Sequence, residues 1–279
     1  MKKKTNELFL QCSALLICSY LLDINKNYKT YLTTDKIKKC LESYKVENEI
    51  INYINSKYNL TGKVYYLRNS ADSECMILFN GTILYLVFCG TQVSDIVSFF
   101  KDIITDVNLG IENISAFGKN VGIHHTYIKN MNNDNLIGQI EKIVSNHLHM
   151  DIVICGHSMG CGLALYTSLV LEKKFSTIKL KLITIDAPKI GNDGLKKYLN
   201  NVSNIKYYDT INNNDFAPCF PFIYPNYCRI ANKTYLFNNN SIVKIKKNIS
   251  RNIFLNHSIT EHFMNNIIKN IYDVLIISQ

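Results

Sequence analysis

The chain has 279 residues, 47% hydrophobic and 19% charged, with 12 Gly and 4 Pro, which excludes a disordered or collagen-like polymer and leaves room for one large domain. Its 31 Lys and Arg against 22 Asp and Glu give a formal charge of +9; this raises nucleic acid as a partner, but with Asn, Ile and Lys all abundant and no recognition motif present, solvated surface charge is the simpler reading and no nucleic-acid partner is expected. The nine cysteines show no Cys-x-x-Cys pair and no Cys/His metal spacing, so neither a disulfide-stapled scaffold nor a metal site is expected, although Cys219 and Cys228 are close enough in sequence to permit one loop disulfide.

In chain order, Met1–Lys4 and the apolar stretch Leu8–Leu22 have the outline of a signal peptide. Asn6, Glu7 and Gln11 interrupt it, and Leu21-Leu22-Asp23-Ile24 is a poor cleavage site. The run is also too short and polar for a membrane span. A buried first helix is the expected outcome, and it favours an intracellular over a secreted protein. Eight Asn-x-Ser/Thr sequons pull weakly the other way. A polar helical stretch follows over Asp35–Tyr58, then strands at Lys63–Arg68, Cys75–Asn80 and Ile83–Cys89, with Asn80-Gly81 as a hairpin turn.

Beyond the hairpin, apolar strands alternate with helical patterns. Helices are expected at Asp134–Leu148, Ser158–Lys174 and Asn192–Asn200, and as a long closing helix over His257–Ile276. Strands are expected at Asp151–Cys155, Lys179–Ile185 and Ile205–Ile211. Short continuous apolar strands separated by helices predict an α/β fold with a mostly parallel sheet covered on both faces. No repeat or composition break divides the chain, so residues 1–279 are read as one domain, with residues 1–60 as a helical part packing on it.

The segment that carries chemistry is Gly156-His157-Ser158-Met159-Gly160. A buried strand ends before Ser158 and a helix starts after it, which is the strand–turn–helix setting of a nucleophile elbow. Gly156 and Gly160 suit a turn too sharp for neighbouring side chains. The helix start offers backbone N–H groups to a developing oxyanion. A serine needs a base and an acid to orient that base. Downstream of the elbow the histidines are His257 and His262; the acids that follow strands are Asp186, Asp209 and Asp215. Asp209 lies within a strand pattern and reads as structural. Geometry favours Asp215, in a loop, and His257, at a loop boundary. Asp186, in a turn behind the elbow, and His262, inside the expected helix, are held in reserve. His124, His125, His147 and His149 lack supporting ligands and read as surface or core-edge residues.

At this point the sequence resembles the class 3, fungal-type lipases of the α/β-hydrolase superfamily, over nearly its whole length. The resemblance rests on Tyr85-Leu-Val-Phe-Cys-Gly-Thr91, similar to the family's oxyanion strand, and on Asp102-Ile-Ile-Thr-Asp106 and Ile123-His-His-Thr-Tyr127. It continues through the elbow Gly156–Cys161, the turn Ala187-Pro-Lys-Ile-Gly191, the acid loop Asn214-Asp-Phe-Ala-Pro218 and Asn256-His257-Ser258. Asn6-Glu-Leu8 resembles the start of the family's first helix. The resemblance implies Ser158 as nucleophile, Asp215 as orienting acid and His257 as general base. The backbone N–H groups of Thr91 and Met159 would form the oxyanion hole.

It also implies a lid between Thr91 and Asp102, where Val93, Ile96, Val97 and Phe100 recur at helical spacing; a surface helix packed permanently on the core is the competing reading. Departures are Cys89 for a frequent Arg, Cys161 for the second elbow Gly, Thr126 for a Gly and Asn256 for Asp. Asp186 stands where the family has a small or amide-bearing residue, and would alter the electrostatics of the site. The implied activity is that of a serine-dependent lipase, cleaving acylglycerol-type esters through an acyl-enzyme with no cofactor. Its partner would be a lipid substrate, with a membrane or lipid-droplet surface as the place of action. A phospholipase A1-type or other lipid esterase is the alternative, and a non-catalytic lipase-like binding module the reading from another class. Headgroup, acyl length and oligomeric state are not legible.

Overall fold

The computed structural model describes residues 3–21, 28–90, 110–221, 226–232, 234–238, 241–245 and 260–277. Their strands are β1 (Tyr28–Leu32), β2 (Gly62–Arg68), β3 (Glu74–Phe79), β4 (Ile83–Phe88), β5 (Ile111–Asn113), β6 (Gly122–His124), β7 (Asp151–His157), β8 (Leu180–Ile185), β9 (Ile205–Asn212), β10 (Thr234–Asn238) and β11 (Ser241–Ile245). The α-helices are α1 (Lys3–Leu21), α2 (Thr34–Ser43), α3 (Asn48–Lys57), α4 (His125–Asn132), α5 (Leu136–Ser145), α6 (Gly160–Lys174), α7 (Asp193–Asn201) and α8 (Met264–Ile277).

One sheet runs in the order β1-β2-β3-β4-β7-β8-β9-β10-β11. Its centre, β4 to β10, is parallel, as the alternation of apolar strands and helices predicts. Both ends are antiparallel: β1 to β4 on one side and the β10–β11 pair on the other. The central strands are apolar on both faces because helices cover both. Alternate residues divide between two cores. Tyr85, Val87, Val153, Cys155, Ile183 and Ile185 face a layer built from α1, α2, α3 and α8. Leu84, Leu86, Phe88, Ile152, Ile154, Leu180 and Leu182 face the layer of α4, α5, α6 and α7.

The N-terminal apolar run is a helix, and an interior one. Phe9, Leu10, Cys12, Leu15, Leu16 and Ile17 are fully buried, and α1 packs chiefly against α8. Among the described residues no helix is long and apolar enough to cross a membrane. The Asn80-Gly81 hairpin forms between β3 and β4, with Gly81 at φ +95 and the Asn80 side chain accepting from the Thr82 and Ile83 N–H groups.

Several elements differ from expectation. The polar stretch Asp35–Tyr58 is two helices, broken where Lys45 takes a left-handed φ of +57 and Val46 turns inward. β1, β5, β6, α4, β10 and β11 are also unexpected, because their short, polar or aromatic stretches give no clean period. The closing helix does not run unbroken from His257: residues Thr260–His262 form one 3-10 turn and the α-helix starts at Met264. All nine cysteines are free, Cys219 and Cys228 included.

Candidate active site

At the carboxyl end of β7 the chain turns into α6 through Ser158, whose φ is +53. A non-glycine residue holds that left-handed conformation only when its surroundings impose it. Here they do. The Ser158 N–H donates to Ile185 O at 3.0 Å, and Ser158 O accepts from the Cys161 N–H at 3.0 Å. A Cβ on Gly156 would meet Gly160 O at 2.5 Å, and one on Gly160 would meet Phe88 O at 2.2 Å. Both elbow glycines are therefore required by close backbone approach. Cys161 is buried, with its Sγ 3.1 Å from Gly156 O. Met159 leads α6, so its N–H belongs to the first-turn donors that have no acceptor within the helix.

Asp215 follows β9 in a loop. Its N–H donates to Asn212 O, and its Oδ1 accepts from the Ala217 N–H at 2.8 Å. Its Oδ2 lies 2.6 Å from His262 Nδ1, with both side chains fully buried. Burial raises the Asp215 carboxyl to about 8; once ionised it can only accept, so His262 then carries its proton on Nδ1, which leaves Nε2 with a lone pair. Nε2 is buried and has no hydrogen-bond partner among the described residues. Burial holds the His262 imidazole down at about 4, with the nearby Asp186 carboxyl pulling the other way. At neutral pH it is an uncharged base.

Two residues brace this histidine and the strand beside it. The ring of His157 faces that of His262, centroids 4.6 Å apart at 33°. Burial, then the neighbouring His262, pushes His157 well below the usual histidine range, so the two rings do not compete for a proton. Tyr20, at the end of α1, accepts from the Gly90 N–H at 2.7 Å and contacts His157 Nδ1 at 2.8 Å. The one phenol oxygen thus ties the Gly90 strand end to the His157 ring. Gly90 sits against the nucleophile: a Cβ there would lie 2.8 Å from Ser158 Cβ. Nothing in the sequence pointed to Tyr20 except a lone phenol at the end of an otherwise apolar helix.

Asp186 is the other acid at the centre. It is fully buried at φ +52. Its N–H donates to Thr210 O, and its Oδ1 accepts from the Asn212 N–H at 2.6 Å. Burial and then the adjacent Asp215 push its carboxyl far above the usual carboxylate range. One possible ligand atom each from His157, Asp186 and His262 lies within 4.8 Å of the others. His157 and His262 are committed to Tyr20 and Asp215 respectively, so the group forms one polar centre with Asp215. Asp209 is structural, as its strand position predicted: it pairs with the buried Arg229 at 2.7 Å and accepts from Thr184 and Thr234.

The model of the family "Lipase (class 3)" matches residues 85–224, a span that holds the elbow, Asp186 and Asp215 and covers half of the chain. This chain belongs to the class 3 lipase family. It is 29% identical over 91 residues to toxin TseL of Vibrio cholerae, a match covering 33% of this chain and 14% of the toxin. To the secreted mono- and diacylglycerol lipase A of Penicillium cyclopium it is 25% identical over 109 residues, covering 39% of this chain and 34% of that lipase. The matches thus span about a third or less of these curated relatives. Among solved structures, lipase II from Rhizopus niveus superposes with a TM-score of 0.71 at 16% identity, covering 95% of this chain and 96% of that one. The fold is that of the α/β-hydrolases.

Within this class 3 lipase domain the structure brings Ser158, Met159, Gly156, Gly160 and Asp215 to one end of the sheet, as the motifs predicted. Thr91, the expected lid residues Val93, Ile96, Val97 and Phe100, and His257 lie outside the described residues. The histidine seen on Asp215 is His262. The expectation that placed His257 there rested on a helix running from residue 257, which would have put His262 too deep inside it. Because the α-helix starts at Met264, His262 stands at a boundary instead, on a tight turn directed at the acid loop.

Proposed function

We propose that this chain hydrolyses carboxylic esters of acylglycerol-type lipids through an acyl-enzyme, with Ser158 as nucleophile, His262 as general base and Asp215 as the acid that orients it. The observation that carries the reading is the buried 2.6 Å pair of Asp215 and His262 beside a serine held at φ +53 on a nucleophile elbow. Ser158 Oγ attacks the ester carbonyl as His262 Nε2 takes its proton. Asp215 stabilises the imidazolium that forms and keeps Nδ1 protonated. The Met159 N–H, and the strand end held by Tyr20 at Gly90, are positioned to serve the oxyanion. Protonated His262 then delivers the proton to the departing alcohol, and the same base activates the water that releases the fatty acid. The family and the mono- and diacylglycerol lipase relative support an acylglycerol substrate met at a lipid surface.

A fluorophosphonate probe and an ester chain-length series on wild type, Ser158→Ala, His262→Ala and His257→Ala test this. Wild type should be labelled and should prefer long-chain acylglycerols. Ser158→Ala and His262→Ala should lose about 10⁴-fold or more in kcat, while His257→Ala retains most of it. An inactive, unlabelled wild type would sink the enzyme reading. Loss in His257→Ala with activity kept in His262→Ala would move the base back to His257. Preference for a phospholipid sn-1 ester would replace the acylglycerol substrate with a phospholipase A1 one.

A further inference from the structure

A second carboxyl group is built into the triad, and its hydrogen bonds reveal its protonation state. Asp186 Oδ1 accepts from the Asn212 N–H, while Oδ2 is buried and finds no donor among the described residues. The two acids flank one buried residue: Asn212 donates its N–H to Asp186 and accepts on its O from the Asp215 N–H, and each carboxyl acts on the other's hold on a proton. Two carboxyls so placed and so buried do not both stay charged; one of them carries a proton. Burial raises the Asp215 carboxyl as well, to about 8, but Asp215 accepts at both oxygens, from the Ala217 N–H and from His262 Nδ1, which makes it the member that ionises first. Asp186, with one oxygen lacking any donor, is the member that holds the proton.

We propose that Asp186 is a positioning residue of this lipase: a neutral carboxylic acid whose O–H donates to Asp215 and holds that carboxylate towards His262. The inference rests on the triad assigned above. The left-handed backbone at Asp186, φ +52, aims its side chain at the acid loop, and Asn212, which donates to it, also bonds Glu261 beside His262 through its side chain. The groups that face this acid are Asp215 from the loop after β9, His262 from the 3-10 turn and His157 from the end of β7. The Cys161 thiol faces it from α6. Arg229 and Glu261 act on it only through their effect on Asp215. Among the described residues no cation pairs with Asp186, which favours the proton staying.

The test uses Asp186→Asn, whose amide retains a donor, and Asp186→Gly, which suits the left-handed backbone and removes it. Turnover of a soluble ester and thermal stability are followed against pH. Asp186→Asn should lose about threefold in kcat, and Asp186→Gly about 30-fold with KM nearly unchanged, the worth of a hydrogen bond to a charged group. A neutral Asp186 must be ionised in the unfolded chain above about pH 4. The folding equilibrium of wild type should therefore lose about tenfold per pH unit relative to Asp186→Asn as pH rises from there. A stability difference that is flat with pH, or that favours wild type increasingly as pH rises, overturns the neutral acid. Wild-type kcat in Asp186→Gly, or equal losses in both variants, overturns the positioning role. Absence of turnover in wild type overturns the lipase reading and the positioning role together, and the stability difference still decides the proton.

Discussion

His262 and Tyr20 show how few atoms set the chemistry. Burial holds the His262 imidazole at about 4, so the base is neutral and competent above that value and is lost as pH falls through it. The acid limb of kcat/KM for a soluble ester should lie between about pH 4 and 5, well below the ordinary histidine value of about 6.5; a pH–rate profile on wild type checks this, and a limb near 6.5 would mean that substrate entry re-solvates the ring. Tyr20→Phe removes one oxygen and deprives two groups of their partner, the Gly90 N–H and His157 Nδ1. The expected cost is about 1–3 kcal/mol of stability with a roughly tenfold fall in kcat, read by denaturant unfolding and by turnover. A variant with normal stability and normal turnover would show that the hydroxyl is idle.

At the scale of elements, the elbow works because β4, β7 and α6 approach more closely than side chains allow. Gly160→Ala places a methyl 2.2 Å from Phe88 O, backbone that cannot yield without shifting β4. We expect more than about 3 kcal/mol of destabilisation, or failure to fold, measured by thermal unfolding. Gly81→Ala faces open space at φ +95 and should cost only the strain of its turn, about 1 kcal/mol. The elbow was legible in the sequence because its requirements are local: two glycines, one serine, a buried strand before and a helix after. The pairing of His262 with Asp215 was not, since it depends on where α8 begins. Thr260, Glu261 and His262 wind as a 3-10 turn, and nothing in their residue types separates that from the first turn of an α-helix. β10 escaped for a similar reason: Tyr235, Leu236 and Phe237 read as strand only once β9 is there to pair with.

For the whole molecule, the sheet ties distant segments together through buried charge as well as apolar packing. Asp209 on β9 meets Arg229, which also reaches Ala187 O, and Thr234 on β10. Asp209→Ala leaves a buried guanidinium without its partner, a loss of about 3–5 kcal/mol, with the active-site geometry intact in whatever fraction stays folded. Equilibrium unfolding and probe labelling of Ser158 together separate these two effects. The parallel centre was legible from strand composition, because strands buried on both faces are apolar throughout. The antiparallel flanks and the layer to which each helix belongs were not, since those follow from contacts between segments far apart in the chain.

The packing of α1 against α8 has a consequence for synthesis. α1 is made about 240 residues before α8, yet each forms much of the other's burial. Tyr20 and His262 sit at the site-facing ends of those same segments. A growing chain therefore carries Phe9, Leu15 and Ile17 without their α8 partner until α8 has emerged, a non-local closure that is slow and exposed to aggregation. The consequence is one of timing: the residues of the serine turn are made before the proposed base, His262, which reaches the site only when α8 docks. An unfinished chain holds the nucleophile without the group that activates it.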